Sequence, residues 1–167
     1  AAYLGLPIFS TTQAPYDLVH TGGNFMADGF GNAFSSFLVY DENGVNGQFN
    51  QTVKTPAQVD TLMDQWMGIN QYVTMPTLPY DAIHHIDMHM KLLDEERLLV
   101  GQFPIGISDG PQIESNLNNQ VVPASSVFGT PYEVLRIPMP PSTGGQYPPN
   151  ANYRTYANNI FLNKLVL

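Results

Sequence analysis

Between Thr55 and Met67 the apolar residues return every three to four positions, so that Val59, Leu62, Met63, Trp66 and Met67 share one helical face. Thr55 can cap this helix, Pro56 occupies its first turn and Gly68 supplies its stop. The Met and Trp stripe reads as core packing. Shorter runs rich in β-branched and aromatic residues predict strands over Ala33 to Tyr40, His85 to Leu93, Leu98 to Phe103, Tyr132 to Ile137 and Tyr156 to Leu162, with a further strand at 71–75. A short helix is expected to follow Asp109, with Ile113 and Leu117 on its apolar side. Hairpin turns are expected at Asp28 to Asn32, Asp94 to Glu96 and Asn163-Lys164. Two stretches without periodicity, Asp41 to Lys54 and Pro138 to Tyr153, read as surface excursions.

In chain order these elements repeat as hairpin, helix, strand. The unit is β-β-α-β, returning every ~60–70 residues. One unit covers about 16–80, a second about 81–140, and an incomplete third about 150–167, within a single domain fragment. Such units bury their faces against neighbours, so an incomplete set leaves strand edges open. The chain stops at Leu165-Val166-Leu167, inside a strand pattern, and is expected to be part of a longer polypeptide.

Composition narrows the function classes. Only 12% of the 167 residues are charged, against ~25% in a typical domain, while fourteen Pro and fourteen Gly favour strands and loops over helix. Fourteen Asp and Glu against six Lys and Arg give a formal net charge of −8, with no basic cluster to meet a run of phosphates. Nucleic acid is excluded as a partner on that ground. A cationic substrate is compatible with the field. No apolar run reaches the ~18–20 residues that span a bilayer. There is no cysteine, hence no disulfide, thiolate metal site or thiol nucleophile within these residues. No Ser-centred elbow occurs, and Ser35, Ser36, Ser125 and Ser126 carry no local signature of activation.

Candidate chemistry concentrates in Ile83-His84-His85-Ile86-Asp87-Met88-His89-Met90-Lys91. On a strand, alternation would place His85, Asp87 and His89 on one face. An imidazole and a carboxylate two residues apart can then share a cleft, one moving protons near neutral pH and the other pairing with a cation. Metal binding by His85, Asp87 and His89 is the rival use of the same side chains, although no second ligand cluster supports it. The third reading is a polar strand without chemistry. In Thr21-Gly22-Gly23-Asn24 the glycines let the backbone approach a site closely and leave Asn24 free to donate and accept; no Lys follows at phosphate-loop spacing.

The run Leu18-Val19-His20-Thr21-Gly22-Gly23-Asn24-Phe25-Met26-Ala27-Asp28-Gly29, then His85-Ile86-Asp87, Arg136-Ile137-Pro138 and Tyr156-Ala157-Asn158-Asn159-Ile160-Phe161-Leu162-Asn163-Lys164, resembles bacterial peptidyl-arginine deiminases in content and order. Agmatine deiminases share the scaffold. The resemblance implies a partial α/β-propeller holding about two and a half of five ββαβ units, with mixed sheets and short helices. It implies hydrolysis of a guanidinium group by a cysteine, through a thiouronium intermediate, with no cofactor and no metal. His85 matches the proton-transfer histidine, Asp87 the second guanidinium-binding carboxylate and Asn158 an asparagine near the substrate; Asn24 is a further substrate-side candidate. The first carboxylate belongs before Ala1 and the nucleophile after Leu167, so this chain is not expected to be active alone. The alternative is a non-catalytic module that assembles into homo-oligomers or polymers through its open strand edges.

Overall fold

The computed structural model describes residues 4–5, 10–159, 161–162 and 165–166, the last four as backbone only. Two three-stranded mixed sheets follow one another along the chain. In the first, β1 (Met26–Ala27) pairs antiparallel with β2 (Asn32–Ser36), which pairs parallel with β3 (Gln71–Met75). The parallel crossover carries α1 (Leu38–Asn43) and α2 (Pro56–Met67). In the second sheet, β4 (Met90–Leu92) pairs antiparallel with β5 (Arg97–Gln102), and β5 pairs parallel with β6 (Glu133–Pro138) after α3 (Gly110–Asn116) and one π turn at Leu117–Val121. A last antiparallel pair joins β7 (Phe161–Leu162) to β8 (Leu165–Val166). The β-β-α-β order read from the sequence is therefore present twice, followed by a hairpin. Among the described residues no helix is long and apolar enough to cross a membrane.

Local chemistry accounts for the boundaries. Asp28 Oδ1 accepts from the Phe30 and Asn32 amides, closing the β1–β2 turn. Asp94 does the same for Glu96 and Arg97 between β4 and β5, and its ion pair with Arg97 holds its carboxyl below the usual range. Thr55 and Gln58 form a reciprocal capping box on α2, and Gly68 ends it with a left-handed φ of 69°.

The first sheet lies between two apolar clusters. Phe34, Val73 and Met75 join Ile86, Met90, Leu98, Val100, Ile113 and Met139 of the second unit, whereas Ala33 joins Val59, Met63 and Ile69 on the α2 side. Burial on both faces explains why all five β2 residues are buried, including Ser35 and Ser36. Polar bonds also cross between units: Asn32 Nδ2 donates to Tyr132 Oη at 3.0 Å, and Gln71 Nε2 to the Ser125 carbonyl at 2.6 Å.

Several expectations are corrected. The strand predicted over Ala33 to Tyr40 ends at Ser36, whose hydroxyl accepts from the amide of Leu38, the first residue of α1, and Tyr40 lies within that helix. Trp66 and Met67 do not enter the core; they are 41% and 51% exposed, and Trp66 meets Tyr16 at 5.5 Å between ring centroids. Of the stretch predicted as a surface excursion, Pro138 ends β6 and 139–153 has no helix or strand, yet it is not purely superficial: Met139 is buried, and Tyr147 and Tyr153 pack edge-on against Phe103. Within the strand expected at Tyr156 to Leu162, residues 156–159 form no strand and Phe161–Leu162 do, and the predicted Asn163-Lys164 turn lies outside the described residues.

Candidate functional site

Two single turns of 3-10 helix meet where the two units join. Gly22–Asn24 forms the first, just before β1; Ile86–Met88 forms the second, just before β4. The strand predicted over His85 to Leu93 thus begins only at Met90, and the alternation expected for His85, Asp87 and His89 does not hold. A 3-10 turn repeats every three residues, which sets His89 beneath Ile86. Both are buried, at 3% and 0% exposure, and neither His89 ring nitrogen has a hydrogen-bond partner.

His85 and Asp87 remain together by a different route. A Cβ built on Gly23 would stand 2.5 Å from His85 Nδ1 and 3.0 Å from Asp87 Oδ2, so the imidazole and the carboxylate converge over the bare Cα of that glycine. Both residues are half-buried. Burial raises the Asp87 carboxyl above the ordinary carboxylate value, the charges of His85 and Lys91 oppose that rise, and nearby Asp81 adds to it. Asp87 Oδ1 is buried without a hydrogen-bond partner, a state that an incoming donor would relieve.

Asn24 is 1% exposed, and both ends of its amide are engaged. Oδ1 accepts from the Ser36 amide at 2.9 Å and the Ile86 amide at 3.3 Å, and Nδ2 donates to the Ser36 carbonyl at 3.3 Å. It is therefore not the free donor and acceptor that the sequence suggested. Asn158 is exposed. Its neighbour Asn159 offers a carbonyl to Lys91 Nζ at 2.7 Å, which ties this segment to β4, the strand that follows Asp87. Arg136 takes a structural place, paired with Glu114 at 2.6 Å and donating to the Gly101 carbonyl at 3.0 Å.

Sequence reasoning missed a second polar group beside this pair. Asp81 Oδ1 accepts from the Ile83 amide and Asp109 Oδ1 from the Tyr80 amide, while Oδ2 of each is buried without a partner. Burial raises the Asp109 carboxyl, helped by Asp81, and raises the Tyr153 phenol that lies against it. Asp109 had read only as the start of a helix; it makes no side-chain cap there. Nothing in periodicity marks a carboxylate whose partners are loop amides far along the chain.

Among the described residues no group of three His, Asp or Glu side chains is placed to hold a metal ion, so His85, Asp87 and His89 do not converge as the rival reading required. His89 instead makes a stability prediction. Burial lowers its pKa from 6.5 to about 4, so the unfolded chain takes up a proton that the fold refuses. Stability is therefore complete above the ordinary histidine value and declines as pH falls from 6.5 toward 4, by up to about 3 kcal/mol. Urea unfolding of the full-length protein at pH 7 and pH 4.5 should show this slope, and His89→Met should flatten it.

The geometry can be set beside known proteins. A family model for Porphyromonas-type peptidyl-arginine deiminase matches residues 3–167. Among solved structures, C. jejuni agmatine deiminase superposes with a TM-score of 0.64 at 20% identity, covering 90% of this chain and 41% of that one. The agmatine deiminase of Enterococcus faecalis gives a TM-score of 0.61 at 13% identity, with 83% and 41% covered. At these identities the likeness is one of fold. The chain thus spans about two fifths of the length of these structures. With the family match running over nearly its whole length, the chain belongs to the Porphyromonas-type peptidyl-arginine deiminase family.

Proposed function

We propose that this chain supplies the guanidinium-binding carboxylate, Asp87, and the proton-transfer histidine, His85, of a deiminase that converts a guanidinium group to a ureido group and ammonia. The observation that carries this reading is the convergence of His85 Nδ1 and Asp87 Oδ2 over the Cα of Gly23. A planar guanidinium presents paired N–H donors, and a carboxylate with one buried, unpartnered oxygen is its natural acceptor. Fixing the plane of the cation presents one face of its central carbon to attack perpendicular to that plane.

The attacking thiolate comes from outside these 167 residues, which contain no cysteine. Its sulfur adds to the guanidinium carbon, a C–N bond breaks, and His85 gives its proton to the departing ammonia, leaving a thiouronium. His85 then takes a proton from water as the oxygen adds to the same carbon. The C–S bond breaks as the new hydroxyl loses its remaining proton to the released ammonia or solvent, the thiolate is restored and the ureido product leaves. Two ββαβ units and a third hairpin fit a partial propeller whose remaining units complete the site.

The full-length protein should release ammonia and form a ureido product from a peptidyl arginine, from agmatine or from free arginine. Parallel assays on the three, read by a colorimetric ureido test, also select the substrate. Absence of ureido product from all three sinks the reading.

A further inference from the structure

We infer that Asn24 and Ser36 form a clamp that fixes the backbone on either side of His85 and so sets the placement of the His85 and Asp87 side chains. Both are positioning residues. Asn24 Oδ1 holds the Ile86 amide at 3.3 Å on one side of His85. Ser36 Oγ donates to the His84 carbonyl at 2.6 Å on the other. The two clamp residues are locked together, because the Ser36 amide donates to Asn24 Oδ1 and the Ser36 carbonyl accepts from Asn24 Nδ2. Both are buried, at 1% and 3% exposure, where water does not replace a lost partner.

The backbone they hold is one that needs holding. His84 has a φ of 56°, a left-handed conformation that costs a non-glycine residue about 1 kcal/mol and persists where the surroundings impose it. That twist lies one residue before His85. With the Ser36 bond removed, the peptide linking His84 and His85 is free to relax, and the imidazole swings with it. Asn24 also directly follows Gly23, so the same turn that seats the imidazole and carboxylate grips the segment bearing them. Neither Ser36 nor Asn24 needs to touch a substrate for this.

The inference rests on the deiminase reading, and the experiment separates the two. In the full-length protein, with the guanidinium substrate that it turns over, Asn24→Ala and the nearly isosteric Ser36→Ala should each lower kcat/KM about 10- to 100-fold, through kcat as His85 is displaced and through KM as Asp87 is. Ser36→Thr, which keeps the hydroxyl, should recover most of the loss. Asn43→Ala is the control: Asn43 is equally buried and bonded to the backbone of Val19 and Val39, so its loss should lower Tm and leave kcat/KM within about 2-fold. If Asn24→Ala and Ser36→Ala behave like Asn43→Ala, or if Ser36→Thr restores nothing, the clamp is refuted. If the wild-type protein turns over no guanidinium compound, the deiminase reading falls and the clamp is judged by carbon NMR titration of the Asp87 carboxyl. It should move toward the ordinary carboxylate value in Ser36→Ala and stay in place in Asn43→Ala; an unmoved Asp87 in Ser36→Ala refutes the clamp.

Discussion

Asp87→Asn in the full-length protein should lower kcat/KM for a guanidinium substrate by about 10³-fold, because truncating one partner of a buried charge pair costs about 3–5 kcal/mol. The substitution keeps the shape of the side chain and one acceptor oxygen, but removes the charge and turns the other acceptor toward the cation as a donor. Stability should move the other way. Burial holds the folded Asp87 carboxyl above its unfolded value, so the fold prefers the protonated form; that contribution is complete below the unfolded pKa and is lost as pH rises through the folded one. At neutral pH the uncharged amide should therefore leave Tm equal to or above wild type. A thermal scan alongside the kinetics checks both halves, and a variant that loses Tm together with activity would make Asp87 a structural carboxylate.

The second large effect is expected from a methyl group. Gly23→Ala introduces a Cβ 2.5 Å from His85 Nδ1 and 3.0 Å from Asp87 Oδ2, distances at which the side chains must move. A displacement of about 1 Å at a reacting group lowers rates on the order of 10²-fold. Gly23 has no left-handed φ, so alanine suits its backbone and the fold should persist. Gly22→Ala is the matched control, since its Cβ would meet nothing within 4 Å. Near-wild-type kcat/KM in Gly22→Ala with a drop of about 10² in Gly23→Ala identifies the seat. Equal behaviour of the two removes Gly23 from the site.

Much of the architecture was legible because it is local. The α2 helix carries its whole specification within fourteen residues, from the Thr55 cap to the Gly68 stop, and it forms with the predicted bounds. The Asp28 and Asp94 turns follow from short side chains that reach amides two to four residues on. Prediction failed where a residue answers to a distant partner. Trp66 continues the apolar stripe of α2, yet it ends exposed beside Tyr16. Ser36 looks like any strand serine until its hydroxyl is seen on the His84 carbonyl, 48 residues away.

The site divides along the same line. Chain order and residue type by themselves determined the repeating β-β-α-β units and put an imidazole and a carboxylate two positions apart at His85 and Asp87. Only the tertiary structure decided that this segment is a 3-10 turn and not a strand, that His89 turns into the core, and that Gly23 lies beneath the pair. The reason is range. Periodicity registers neighbours within about one helical turn or one strand step, whereas the bond from the Ile86 amide to Asn24 joins residues 62 apart. Such a partner exists only once the two units have packed together.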